Sequence, residues 1–367
     1  ADTSTSCRPA PHTVSDPRST NTMLDLAVAA RDAGLADTQA PLRWLAWRDA
    51  RLEGYESPSA TLRATRGSNP LRCDALAVFG SAMAIVPISA ADIFVDVLHP
   101  AGCRIVIMSG GVGRGTLALW RELVERGLHE TFGFAEPWAV GTPPSSVQLP
   151  TQGVDKPVLA AAAELPASPE ARRAFCTEAD VMLELFVAQC RARGLHVSFG
   201  GDPNASGCDP RALDGQEEGH AHVFLESASS NSGANCALSA QSLVTLGLDM
   251  ATAHVALVQH PQAHRRACLT WEKQFGRPPL GWCPRPTPAV LGVSNAEMLL
   301  YALGEFRRIE AYSDPSKAFL TMPPDYPADL SAPLGKLEPQ LRAIIQQALR
   351  APDAPAAYAM SLGLSIE

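Results

Sequence analysis

The chain has 367 residues, 46% of them hydrophobic and 19% charged, with a formal net charge of −8 at pH 7. So much apolar side chain can bury a large core, which excludes a disordered protein, and the length suits one large domain or two ordinary ones. The negative balance argues against a nucleic-acid partner, which would need a basic face to release counterions from phosphates.

In chain order, a polar, proline-containing stretch up to Thr20 comes first. Ala1–Pro17 has neither a cationic end nor an apolar core, so no secretory signal is expected there. Helical spacing follows at Leu24–Arg31 and at Ala40–Glu53 and predicts a helical lead-in. Ser57–Pro70 reads as a connector. A βα alternation then begins. Asp74–Phe79 is an apolar run ending at Gly80-Ser81, with a helix expected over Ala90–Leu98. Cys103–Met108 is a β-branched run ending at Ser109-Gly110-Gly111, followed by helical spacing over Thr116–Arg126. Helices are expected at Cys176–Arg193, Asn235–Leu246 and Gln262–Phe275, and strands at His222–Leu225 and Ala253–Val258. Thr142–Ser168 and Val197–Gly219 read as insertions, and the chain beyond Leu291 as helical, at Asn295–Glu310 and Leu337–Arg350.

Four apolar strands, each leading through a loop into a helix, predict an α/β fold: a Rossmann-like parallel sheet with helices on both faces, plus the N-terminal lead-in and the C-terminal helices. The expected organisation is an N-terminal extension over residues 1–70, a sheet domain over 71–290 with insertions near 142–168 and 200–219, and a helical region over 291–367. No membrane span is expected. The most apolar uncharged run, between Asp74 and Asp92, falls short of the ~20 residues a spanning helix needs and is broken by Gly80, Ser81, Pro87 and Ser89. The nine cysteines are odd in number and form no C-x-x-C pair. They predict free thiols in a reducing compartment, here the cytoplasm.

The polar motifs fall where these strands end, which is where ligands bind in parallel sheets. Ser109-Gly110-Gly111-Val112-Gly113-Arg114-Gly115-Thr116 follows a strand and precedes a helix, a setting in which glycine backbone can approach an anion. It matches neither the dinucleotide fingerprint, because Thr116 stands where the third glycine belongs, nor a phosphate loop, because no lysine follows. Glu226 ends a strand and opens a loop containing Ser229, Asn231 and Asn235, in which Asn231 or Ser232 could equally be an ordinary helix cap. His260 and His264 have i, i+4 spacing, but no third ligand accompanies them, so no metal is expected. Thr177-Glu178-Ala179-Asp180 reads first as a helix cap. No nucleophile elbow is present.

In order, these motifs resemble the YdcF/SanA family, a domain of unknown function. Gly80, Ser109-Gly110-Gly111, Glu178-Ala179, Glu226 with Ser229 and Asn231, Asn235, and Arg266-Ala267 correspond to its motifs between about Asp74 and Phe275. The Gln259-x-Pro261 version is similar to the YdcF branch. Ala234 stands where the family has a second Glu, and Ala263 where it often has a His. The resemblance implies a pocket at the strand ends and S-adenosylmethionine as cofactor or ligand; it implies no reaction. The expected ligand-binding residues are Gly80, Ser81, Ser109, Gly110, Gly111, Gly113, Glu178, Glu226, Ser229, Asn231, Asn235, Gln259 and Arg266. The glycine loop would hold an anionic end. Glu226 or Glu178 would take ribose hydroxyls or an ammonium, the amides would orient the ligand, and Arg266 would offset a negative group. The rival readings are a hydrolase or transferase acting on a phosphorylated or glycan substrate, with Glu178 or Glu226 as general base, and a non-catalytic assembly factor.

Overall fold

The computed structural model of the protein describes residues 26, 28–52, 71–111, 119, 177–203, 220–229, 231–285, 294–317 and 319–349. Six strands form one sheet: β1 (Ala75–Phe79), β2 (Ile105–Ser109), β3 (Val197–Gly201), β4 (Ala221–Glu226), β5 (Val255–Val258) and β6 (Leu280–Trp282). Their spatial order is β3-β4-β2-β1-β5-β6, and every pairing is parallel. The expected α/β class is therefore what the chain adopts.

Side chains alternate between two cores, as the period of a strand requires. Leu76, Val78, Val106, Met108, Val223, Leu225, Ala256 and Val258 point to one core. Ala77, Phe79, Ile107, Phe224 and Leu257 point to the other. Because both faces are covered, β1, β4 and β5 are buried at every position, which is why β1 and β5 read as unbroken apolar runs and β4 as a mostly apolar one.

The helices are α1 (Ala40–Leu45), α2 (Ile85–Ile93, continued by a π-helical turn Phe94–Leu98), α3 (Glu178–Ala192), α4 (Ser232–Thr245), α5 (Pro261–Phe275), α6 (Asn295–Ser313) and α7 (Ala328–Leu349). The first core also holds residues of α1, α2, α3, α6 and α7, among them Leu45, Ile93, Phe186, Leu303 and Leu341. The second holds Cys236, Ala240 and Leu243 of α4 and Ala267, Cys268 and Trp271 of α5. The chain thus leaves β1 for β2 across one face and leaves β5 for β6 across the other, in opposite directions along the sheet. Strand order reverses between β1 and β5, and in open parallel sheets the carboxyl ends of two such strands are where ligands bind.

Three expectations are corrected. Residues 197–201 form the edge strand β3 instead of an insertion; it is half-exposed and glycine-containing, so it carries no apolar signature. The lead-in helix stops at Leu45, because the chain then extends along the opposite edge. There the Asp49 N–H donates to the Gly281 carbonyl at 2.8 Å. The last helix begins at Ala328 and runs through Pro333 and Pro339. The helix expected at Thr116–Arg126 and the 142–168 insertion lie outside the described residues, apart from Leu119.

The six described cysteines are free and buried. No helix among the described residues is long and apolar enough to cross a membrane.

The start of α3 is held by a capping box. Thr177 accepts from the Asp180 N–H at 3.3 Å, and the Asp180 carboxylate accepts from the Thr177 N–H at 2.9 Å. Replacing Thr177 by Ala is expected to cost about 0.5–2 kcal/mol of unfolding free energy, read from the urea midpoint. An unchanged midpoint would show that tertiary packing alone sets the start of α3.

Candidate functional site

Ser109 and Glu226 are the last residues of β2 and β4 and lie opposite each other in register. Strand alternation puts them on the same face, and the Ser109 hydroxyl donates to Glu226 Oε2 at 2.5 Å. Glu226 Oε1 accepts from the Ala228 and Ser229 N–H groups at 2.7 and 2.9 Å. Glu226 is only 1% exposed, and internal donors occupy both its oxygens. Its carboxylate folds the 227–229 turn back against the strand ends. The buried Ser229 hydroxyl lies 3.4 Å from that of Ser109.

The glycine loop is organised the same way. The Gly110 N–H donates to the Glu226 carbonyl at 2.9 Å and the Gly111 N–H to the Ser229 carbonyl at 2.7 Å. Their own carbonyls receive the first N–H groups of α3, from Ala179 at 2.8 Å and Glu178 at 3.0 Å. The amides expected to hold an anion are therefore spent on backbone partners, and so is this helix start. Glycine is needed here for close approach. A Cβ on Gly111 would stand 2.7 Å from the carbonyl oxygens of both Ser227 and Ser229, and one on Gly110 would stand 2.8 Å from Gly80 Cα. Gly113 lies outside the described residues.

Glu178, the first residue of α3, is buried, with its carboxylate over Gly80 and its Cβ close to Gly110. The bare backbones of the β1 and β2 ends thus form a floor under one acid. Ser81 is buried beside it, and its hydroxyl accepts from the Met83 N–H at 3.1 Å. Asn231 is the N-cap of α4, accepting from the Ala234 N–H at 2.9 Å, so it serves the helix. Asn235, in the first turn of α4, is buried.

At the end of β5, the buried Gln259 side chain turns back on its neighbour. Its Oε1 receives the His260 N–H at 2.8 Å and lies 2.9 Å from His260 Nδ1. Arg266, one turn into α5, is paired with buried Glu305 of α6 at 2.5 and 3.3 Å. Burial alone would raise the Glu305 carboxyl, but Arg266, with help from Arg308, outweighs it and holds the group below the usual range. Burial likewise opposes the Arg266 charge, and Glu305 more than restores it. The guanidinium joins α5 to α6. Sequence reasoning had no signal for Glu305, which ordinary helical periodicity places among core residues.

The two histidines of this region are neutral. Burial first, and the Arg266 and Arg308 charges with it, lower His260 to about 4 despite the opposing Glu305. Burial, with Arg48 and Arg265, lowers His264 to about 3. No group of three or more metal-ligating side chains exists among the described residues.

No family model matches the chain, and no curated protein does.

Two predictions follow from this geometry. Gly111→Ala must push two carbonyl groups apart, at a cost of about 1–3 kcal/mol. Gly304→Ala, in the middle of α6 with its nearest neighbour 3.6 Å away, should be neutral or stabilising by up to about 1 kcal/mol. Equal unfolding midpoints for the two variants would refute the close-approach argument. Secondly, below pH 6.5 the unfolded chain protonates His260 and His264 while the folded protein leaves them neutral until their lowered values are reached. Stability should fall as the pH drops from 6.5 toward 4, by about 1.4 kcal/mol per pH unit for each histidine. His264→Leu, whatever its stability at pH 7, should show the shallower slope in urea titrations across that window.

Proposed function

We propose that this protein binds a small nucleoside-type ligand, S-adenosylmethionine foremost, in the crevice at the carboxyl ends of β1 and β5. The observation that supports the reading is that Glu178, over Gly80 at the end of β1, and Gln259, directly after β5, stand at the two strand ends between which order reverses in an all-parallel sheet. In this reading Glu178 accepts ribose hydroxyls or an ammonium group, and the two amides fix orientation. The motif order shared with the YdcF/SanA family supports the same reading, and we take the chain as a YdcF-like member.

The charge distribution favours a cationic nucleoside over a phosphorylated one. The Gly110 and Gly111 amides are committed to carbonyl oxygens, and Arg266 to Glu305, so those groups do not attract a phosphate. A buried acid at the floor instead suits the ammonium and sulfonium charges of S-adenosylmethionine. The buried free thiols favour a reducing compartment, the cytoplasm, as the place of action.

Calorimetric titration is the test, with ATP as the anionic comparator. S-adenosylmethionine should bind more tightly than ATP, and Glu178→Ala should weaken it by about ten- to hundredfold, the cost of leaving one or two ligand donors unmatched. No heat with S-adenosylmethionine, or tighter binding of ATP, would overturn the reading.

A further inference from the structure

His260 breaks a local rule. It is the N-cap of α5, a position that favours Ser, Thr, Asp or Asn, yet its side chain makes no capping hydrogen bond. Its half-buried ring is instead held by the preceding residue. The backbone N–H of His260 is an unambiguous donor, so the Gln259 atom that it meets at 2.8 Å must be the amide oxygen. That same oxygen lies 2.9 Å from His260 Nδ1 and can only accept. The proton therefore sits on Nδ1, and Nε2 carries a lone pair.

No donor among the described residues reaches Nε2. Around the ring stand Arg266 and His264 on α5 and Glu305 and Arg308 on α6. The Glu305 carboxylate is shared between the two guanidinium groups, so it offers little to an imidazolium. A second proton on the ring would meet burial and two positive charges. Among the described residues Nε2 is thus an acceptor without a donor at neutral pH, on the residue that starts α5 after β5, at the strand end where order reverses.

We infer that His260 is a ligand-recognition residue whose Nε2 accepts a hydrogen bond from a hydroxyl or amino group of the nucleoside bound at the β1–β5 crevice, with Gln259 as its positioning residue. The inference rests on the binding reading above and adds a chemical requirement to it: the ligand presents a neutral donor toward the end of β5.

The test joins nitrogen NMR with acylation by diethyl pyrocarbonate, which attacks an unprotonated imidazole nitrogen. In the full-length protein the His260 ring should show the Nδ1–H tautomer at pH 7, and Gln259→Leu should abolish that preference. Acylation at His260, located by fragmenting its peptide, should fall by less than about 1.5-fold between pH 7.5 and 5.5, where free imidazole slows about tenfold. Saturating S-adenosylmethionine should slow it at least about tenfold, while calorimetry on the same sample reports binding. An Nε2–H tautomer, or an acylation rate that follows free imidazole, overturns the inference. Calorimetric binding without protection at His260 overturns it and leaves the binding reading intact. No heat at all overturns the binding reading, and the inference falls with it.

Discussion

Parallel strands that stop inside a protein leave carbonyl and amide groups with no next residue to pair them, and burying such groups unpaired costs more than most packing gains. At the carboxyl edge of this sheet the problem is solved from within. The end of β4 supplies a carbonyl to Gly110, the 227–229 turn supplies one to Gly111, and α3 returns two N–H groups to the glycine carbonyls. Glu226 fixes the turn that makes this work, by accepting from two turn amides and from Ser109. Everything else at the edge is placed by this closure, including the carboxylate of Glu178 over bare glycine backbone.

The closure divides the polar residues into two groups. Glu226, Ser109, Ser229, Asn231 and Arg266 have protein partners and hold the edge together. Glu178, Asn235, Gln259 and His260 are the residues to which the proposed binding reading gives a ligand. The two buried acids at the edge belong to different layers. Ser109 and Glu226 share the face covered by α4 and α5, whereas Glu178 enters from α3 on the other.

The sequence made some of this legible and hid the rest for physical reasons. β1, β2, β4 and β5 stood out because strands covered on both faces must be almost wholly apolar. β3 and β6 did not, since a half-exposed edge strand and a strand of three residues need no such run. The positions of Gly80, Ser109-Gly110-Gly111 and Glu226 were readable, because a polar residue at the end of an apolar run is conspicuous. Their tasks were not. Ser109 meets Glu226 across 117 residues of chain, and Arg266 meets Glu305 across 39. Local spacing has no access to such pairs, so a glycine loop that resembles an anion cradle turned out to have its amides occupied. His260 was passed over for a similar reason. As one of two spaced histidines it invited a metal reading, while its actual constraint comes from the residue immediately before it.

The start of α5, at the end of β5, is held by contacts further along that helix. Arg265 stacks on Trp44 and Trp47, with its guanidinium carbon 5.4 and 5.0 Å from their ring centres, and binds Asp325 at 2.7 Å. Trp44 in turn lies 5.3 Å from Phe306 of α6, centre to centre, and donates its indole N–H to the Asp325 carbonyl at 3.0 Å. One residue further along α5, Arg266 binds Glu305. Consecutive arginines thus anchor the same helix, one to the N-terminal segment and one to α6. A guanidinium stacked on indole, as Arg265 is, or paired in a two-nitrogen fork, as Arg266 is, resists rotation in a way a lysine ammonium does not. Because His260 is the N-cap of that helix, these attachments fix where its backbone stands after the end of β5.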